Sequence, residues 1–268
     1  MRLAGINLHP VKSTAIRPVQ EAYVGRAGLV GDREWMVVDG AGELVSAREI
    51  RELFTIVADT PATGGGADLR LSAPGHEPME VALPSQDVRD VQMFKRPKMR
   101  VRPAGPEADT WLRRVLGRDD LSLVWCHDPF RRVLDAEDGF AASDHAAFQD
   151  DSAVSLITDA SVAAIDSWSE ATITAQRFRP SLLVEGAEEA FVEDGWNEIG
   201  IGPVRFRVVS PVPRCVMTTI DPVTLEKSKE PLRTLAIHRR WGGKTWAAVH
   251  LGVEHPGEIA VGDEVIVS

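Results

Sequence analysis

Cysteine is nearly absent from this chain of 268 residues, which has only Cys126 and Cys215. Two cysteines build no disulfide framework, and these two are not spaced as a CxxC pair. Nor can they supply the four thiolates of an ordinary iron–sulfur cluster. Long apolar runs are missing as well. No stretch approaches the roughly 20 residues that cross a bilayer, and the opening MRLAGINLHPVKST lacks a signal-peptide core. A soluble, cytoplasmic protein is expected. Positive charge is not in excess either: the formal net charge is −10, which argues against a general nucleic-acid binder. The seven histidines form no HExxH and no paired Cys/His spacing, so a zinc site has little support. GLVGDREW (28–35) has two glycines but feeds a strand, and it matches neither a P-loop nor a dinucleotide fingerprint.

What is present suffices for a packed core, with 44% hydrophobic and 26% charged residues. RLAGINL, EAYVG, REWMVVD, LFTIVAD, DLRLSA, MEVALP and DVQMF read as short strands between turn residues, and TGGGAD as a hairpin tip. EADTWLRRVLG reads as a helix, with Trp111, Leu112, Val115 and Leu116 on one face and Gly117 as its stop. After the strand LSLVWC comes a stretch without periodicity, and the domain boundary is placed at its start. The second half reads AVSLIT (strand), DASVAAIDSW (helix), FRPSLLVEG (strand) and WNEIGIGPVRFRVVS (hairpin). RCVMTTID is expected as a strand, followed by a helix around EPLRTLAIHRR and the strands TWAAVHLGVE and DEVIVS. The expected fold is mainly β with embedded helices (α+β). It comprises two barrel-like or sandwich-like domains, 1–126 and 127–268.

Several basic residues lie at loop–strand junctions: Lys12 beside Ser13, Arg33, Arg177 and Arg179 around Phe178, and Arg214. Such side chains can converge on a ligand at a barrel rim, arginine with a planar fork for phosphate oxygens and lysine as a point charge. ITDAS offers a helix start capped by Thr158 or Asp159, whose free amides could hold an anion. Ordinary surface charge is the competing reading. FKRPKMRVRP (94–103) is the densest basic run, read as a strand with one solvated face. A docking surface for an acidic redox partner is its alternative. Cys215 follows a Pro-x-Pro step and Arg214, which would lower its thiol pKa. It is open to three readings: a small buried hydrophobe, a nucleophile, or a ligand to a soft metal. A metal arriving inside an anionic cofactor would draw Cys215 and the scattered arginines into one site.

HPVKS, GLVGDREWMVVD, LITDAS, RFRP, F-x-EDGW, PRCVMTTIDP and HPGEIAVGDEV occur in this order from one end of the chain to the other. Together they resemble the MOSC family, named for the C-terminal domain of molybdenum cofactor sulfurases. More narrowly, they resemble the bacterial relatives of the mitochondrial amidoxime-reducing component. The resemblance implies an N-terminal MOSC-associated β-barrel domain followed by the MOSC domain. It also implies a bound molybdenum cofactor, a molybdopterin dithiolene holding the metal. Cys215 matches the family cysteine whose sulfur ligates molybdenum. Lys12, Ser13, Arg33, Arg177, Arg179 and Arg214 fall on positions that bind pterin and phosphate, and Thr158, Asp159 and Ala160 on a turn giving backbone contacts. Where the family reads RFRPN this chain has Ser181, a shorter group that still donates one hydrogen bond.

The implied activity is molybdenum-dependent reduction of N-hydroxylated compounds such as amidoximes and hydroxylamines. Some relatives carry a ferredoxin domain, for which this chain has too few cysteines. Electrons are therefore expected from separate proteins, a reductase with a heme, flavin or iron–sulfur carrier. Asp150, Asp151 and His250 are the candidate proton donors. Pyridoxal phosphate, carried by a different domain of full-length sulfurases, is not expected. Three other uses of these residues remain open: a carrier of the cofactor, a sulfur-transfer module with a persulfide on Cys215, and a cofactor-free interaction module.

Overall fold

The computed structural model describes residues 1–85 and 87–268. Strands dominate, with three α-helices among the described residues: α1 (Pro106–Leu116), α2 (Asp159–Trp168) and α3 (Leu232–His238). None is long and apolar enough to cross a membrane. The mainly β, α+β architecture read from the sequence is the one the chain adopts.

The largest sheet has nine strands and belongs mostly to the second half. Its order runs Val265–Val267, Glu198–Ile201, Val204–Pro213, Lys244–His255, Val154–Thr158, Leu182–Glu185, Arg2–Leu8, Arg17–Val19, with Arg240–Trp241 added as a hairpin on Lys244–His255. All these pairings are antiparallel except Val154–Thr158 with Leu182–Glu185. That parallel pair needs a crossover, and α2 supplies it. Thr158 caps α2, its hydroxyl accepting from the Ser161 amide at 3.2 Å. The N-terminal strand crosses into this sheet: Ile6 pairs with Leu182, and Leu3, Ile6 and Leu8 share a core with Leu156, Phe206 and Leu251.

Three smaller sheets complete the fold. Trp35–Val38, Ser122–Trp125, Met99–Pro103 and Arg89–Val91 form one, and Val57–Asp59, Leu69–Ala73 and His76–Val81 a second. The third joins Gly257–Ala260 to Glu21–Gly25 and Gly28–Leu29, tying the last part of the chain to the first. In the first half, Trp35, Leu53, Phe54, Leu69 and Leu123 pack against Trp111 and Leu112 of α1. Proline at the first turn of α1 and Gly117 in the left-handed conformation (φ 65°) set its limits.

Three expected strands are shorter or absent. The sheet strand ends at Pro213, just before RCVMTTID, which closes instead as a 3-10 turn over Val216–Thr219. The Thr218 and Thr219 hydroxyls donate to the carbonyls of Cys215 and Val216, an alternative to strand pairing that β-branched threonine offers. LFTIVAD begins inside the 3-10 turn Arg51–Thr55 and is a strand only over Val57–Asp59. FRPSLLVEG is a strand only over Leu182–Glu185, because the 3-10 turn Ala175–Phe178 and a left-handed Arg179 precede it. FKRPKMRVRP does contain a strand, Met99–Pro103, in which Arg100 is exposed and Val101 buried.

Candidate functional site

Segments from both halves converge on one cleft of about 140 Å³. HPVKS lies beside the 32–35 turn, where Lys12 donates its amide to the Trp35 carbonyl at 2.8 Å and Arg33 to that of His9 at 2.8 Å. Asp32 fixes this junction. It accepts from the His9 amide at 2.8 Å, contacts His9 Nδ1 at 3.2 Å and binds Arg33 Nη1 at 2.5 Å. Burial alone would raise the Asp32 pKa; the Arg33 charge and the His9 contact overcome it and hold the carboxyl down at about 2. Burial and the charges of Arg33 and Arg179 push His9 well below its ordinary value, so it stays neutral.

Three residues of the cleft hold left-handed backbone without being glycine: Ser13 (φ 70°), Arg33 (φ 53°) and Arg179 (φ 50°). Such conformations persist where the surroundings over-determine them. Two of them have side chains held in place: Arg33 as above, and Arg179 by Nη2 donating to the Thr14 carbonyl at 2.7 Å with its guanidinium 5.0 Å from the Phe54 ring. Arg214 donates to the Phe178 carbonyl at 2.6 Å, and Arg177 pairs with Asp221 at 2.9 Å. Lys12 donates to the Phe148 carbonyl at 2.6 Å and pairs with Asp150.

Burial is the main electrostatic cost of assembling these cations. It lowers Lys12 to about 8 against the opposing pull of Asp150, Arg179 to about 9 with Arg33 adding repulsion, and Arg214 to about 10. All three remain charged at pH 7. Burial also acts on Asp150, yet Lys12 first and Arg48 next hold its carboxyl well below the usual carboxylate range. His250, which also lines the cleft, is lowered to about 4, chiefly by burial, and is a neutral imidazole at pH 7.

Lys12, Ser13, Arg33, Arg177, Arg179, Ser181, Arg214 and Cys215, singled out in the sequence, all line this one cleft, as do Asp150, Asp151 and His250. Thr158, Asp159 and Ala160 are not among the lining residues. Thr158 is spent on its cap and on buried Glu193, and Asp159 accepts from the Ala160 amide at 2.8 Å. Arg48 was not anticipated. It reaches Cys215 Sγ at 3.3 Å and Asp150 at 3.3 Å from the loop before the Arg51–Thr55 turn. Ser46, Gln149, Ser152 and Ser155 join it in the lining; none stands in a spacing that a motif would flag.

Cys215 is exposed whereas Cys126 is buried, and burial pushes the Cys126 thiol up to about 12. Several buried polar atoms in the cleft lack any partner: Ser13 Oγ, Gln149 Oε1, Arg177 Nη1, Arg179 Nη1 and Arg214 Nε. Buried polar groups are normally satisfied. Their concentration in one cleft, with four of the five being donors, describes a cradle for an anion that also has an accessible sulfur.

Comparison with known proteins accords with this geometry. Residues 143–266 match the MOSC domain and residues 1–119 the MOSC N-terminal beta barrel domain. The chain is 30% identical over 280 residues to mitochondrial amidoxime-reducing component 1 of Homo sapiens, covering 98% of this chain and 82% of that protein. The Xenopus laevis protein of that name is 31% identical over 278 residues, covering 96% and 79%. A molybdenum cofactor sulfurase of Danio rerio is 28% identical over 294 residues, covering 98% of this chain but 34% of the sulfurase. With both domain matches in series and these relatives spanning nearly its whole length, the chain belongs to the MOSC family.

Proposed function

We propose that this protein holds a molybdenum cofactor in the cleft and reduces N-hydroxylated compounds, amidoximes and hydroxylamines, with electrons delivered by separate proteins. The observation that carries the reading is the pairing of an accessible thiol, Cys215, with cations of the same cleft that keep buried, unused donors: Arg177, Arg179 and Arg214. The fit is chemical. A pterin with a phosphate tail is anionic and rich in acceptors, and the cleft presents donors. Lys12, Ser13, Arg33, Arg177 and Arg179 would hold the phosphate and pterin, Ser181 and Arg214 would add contacts, and Cys215 would give a sulfur ligand to the metal.

The bound group supplies the redox chemistry, two electrons for breaking the N–O bond. The rest falls to the chain. The balance is R–NH–OH plus two electrons and two protons giving R–NH2 and water. Arg48 donates to the Cys215 sulfur at 3.3 Å and so fixes its position. Asp150, locked as a carboxylate between Lys12 and Arg48, orients both cations. His250 is neutral, with Nδ1 3.4 Å from Ser210 Oγ, and can relay a proton without adding charge to the wall. The relatives named amidoxime-reducing components support this chemistry.

The test is turnover. Protein from a host that makes the cofactor, given a chemical reductant, is expected to convert N-hydroxybenzamidine to benzamidine, and Cys215→Ala to lose this activity. Loaded wild-type protein without turnover of any N-hydroxylated compound would contradict the reading.

A further inference from the structure

A second groove, of about 420 Å³, opens from the thiol to the surface. It shares Arg48, Asp150, Asp151, Arg214 and Cys215 with the cleft and adds Arg240 and Lys244. Its two carboxylates are already committed, Asp150 to Lys12 and Arg48, Asp151 to Arg96. Arg240 and Lys244 are different. Among the described residues no carboxylate lies within ion-pair distance of either, and both are exposed. Both line the thiol groove without a carboxylate partner, Lys244 with its ammonium 5.7 Å from the centre of the Trp246 ring.

Their backbone is fixed by a hairpin. Arg240 and Lys244 belong to the Arg240–Trp241 hairpin on Lys244–His255, which turns through Gly242 (φ 57°) and Gly243 (φ 78°). Both glycines take the left-handed conformation that a two-residue turn of this kind requires. Arg240 is the cross-strand partner of Thr245, another groove residue. The Thr245 carbonyl accepts from the Arg214 amide at 2.8 Å, linking the hairpin to the residue before Cys215. On the hairpin, Trp241 stacks on Trp246 at 5.5 Å, and Arg239, paired with Asp194, lies 4.7 Å from the Trp241 ring.

We infer that the substrate carries an anionic group, a carboxylate or phosphate, away from its N-hydroxyl end, and that Arg240 and Lys244 bind it. This rests on the reductase reading above and names its substrate class. The geometry has the N-hydroxyl directed toward Cys215 while the anion meets the forked guanidinium of Arg240 and the ammonium of Lys244. Cations at the mouth of a site also raise the local concentration of an anionic ligand.

The experiment compares N-hydroxybenzamidine with its 4-carboxylate and 4-phosphonate derivatives, using loaded wild-type protein and the double variant Arg240→Gln/Lys244→Gln. In the wild type the anionic compounds are expected to show KM values lower than the neutral one by about fivefold to tenfold, the scale of two partly exposed charge contacts. The double variant should erase most of that preference through KM rather than kcat, and salt should erode it in the wild type. Binding is read separately through Trp fluorescence, using the 4-carboxylate compound as probe. If no compound is reduced, the reductase reading fails while the binding arm still decides: weaker binding by the variant supports the inference and equal binding overturns it. Equal KM values for all three compounds in the wild type, or a preference untouched in the variant, also overturn it.

Discussion

Arg48 places a guanidinium nitrogen 3.3 Å from the sulfur of Cys215, although 167 residues separate the two in sequence. The same nitrogen lies 3.3 Å from Asp150, and the guanidinium lies 4.9 Å from the centre of the Phe94 ring. One side chain from the first half of the chain thus bridges the thiol and the Lys12–Asp150 pair. The site exists only when both halves are assembled.

Removing that bridge should affect function more than stability. Arg48→Ala is expected to lower turnover by about tenfold or more, since a hydrogen bond to a charged group is worth roughly 1.5–3 kcal/mol. Tm should move by less than about 2 °C, because the lost contacts are partly exposed. Steady-state kinetics and a thermal melt on the same preparation check both, and Arg48→Lys should recover part of the rate.

The two thiols should differ sharply in reactivity. Cys215 is exposed, and Cys126 is buried with its pKa pushed up to about 12. Cofactor-free native protein treated with iodoacetamide at pH 8 is expected to gain one label, on Cys215, with the second appearing only on unfolding. Intact-mass and peptide mass spectrometry read the count and the position. Labelling of both thiols in the native protein would contradict the described burial.

Asp32 makes stability depend on acid. Its folded pKa of about 2 lies below the ordinary 3.8, so the folded carboxyl binds fewer protons than the unfolded one. The resulting stabilisation is complete above pH ~4 and is lost as pH falls toward 2. Asp32→Asn should therefore cost about 2 kcal/mol at pH 7, with the gap from wild type narrowing between pH 4 and pH 3. Urea unfolding of both proteins across that range measures it.

Ser181 and Ser155 exchange reciprocal hydrogen bonds, each amide donating to the other's hydroxyl at 3.3 Å. Ser181→Ala should cost about 1 kcal/mol, a fall in Tm of a few degrees. Ser181→Asn, which lengthens the donor at the cleft wall, is expected to slow the loss of pterin during dialysis. Differential scanning calorimetry and fluorescence of the oxidised pterin read the two effects.

Much of this was legible in the sequence where local signals agree. The end of α1 followed from Gly117 and the start of α2 was narrowed to Thr158 or Asp159, residues whose backbone or side-chain chemistry acts within one turn. The dispersed basic residues were legible as a set because each stands at a loop–strand junction. Arg48 was not, because its contact is closed only by tertiary assembly, and the SAREIREL stretch around it carries no spacing that marks chemistry. The RCVMTTID segment misled for a different reason. Its β-branched residues favour a strand, but the threonine hydroxyls bind carbonyls three residues back and close a turn. That turn is what leaves Cys215 exposed at the end of the strand.

The most direct test of the account is the molybdenum content of the purified protein by mass spectrometry, with pterin fluorescence after oxidation, in wild type and Cys215→Ala. Both are to be expressed in a host that makes the cofactor. The account predicts near-stoichiometric metal and pterin in the wild type, and metal lost or differently coordinated in the variant. Wild-type protein that carries neither metal nor pterin would contradict it, and would return Cys215 to the role of a sulfur carrier or a packing residue.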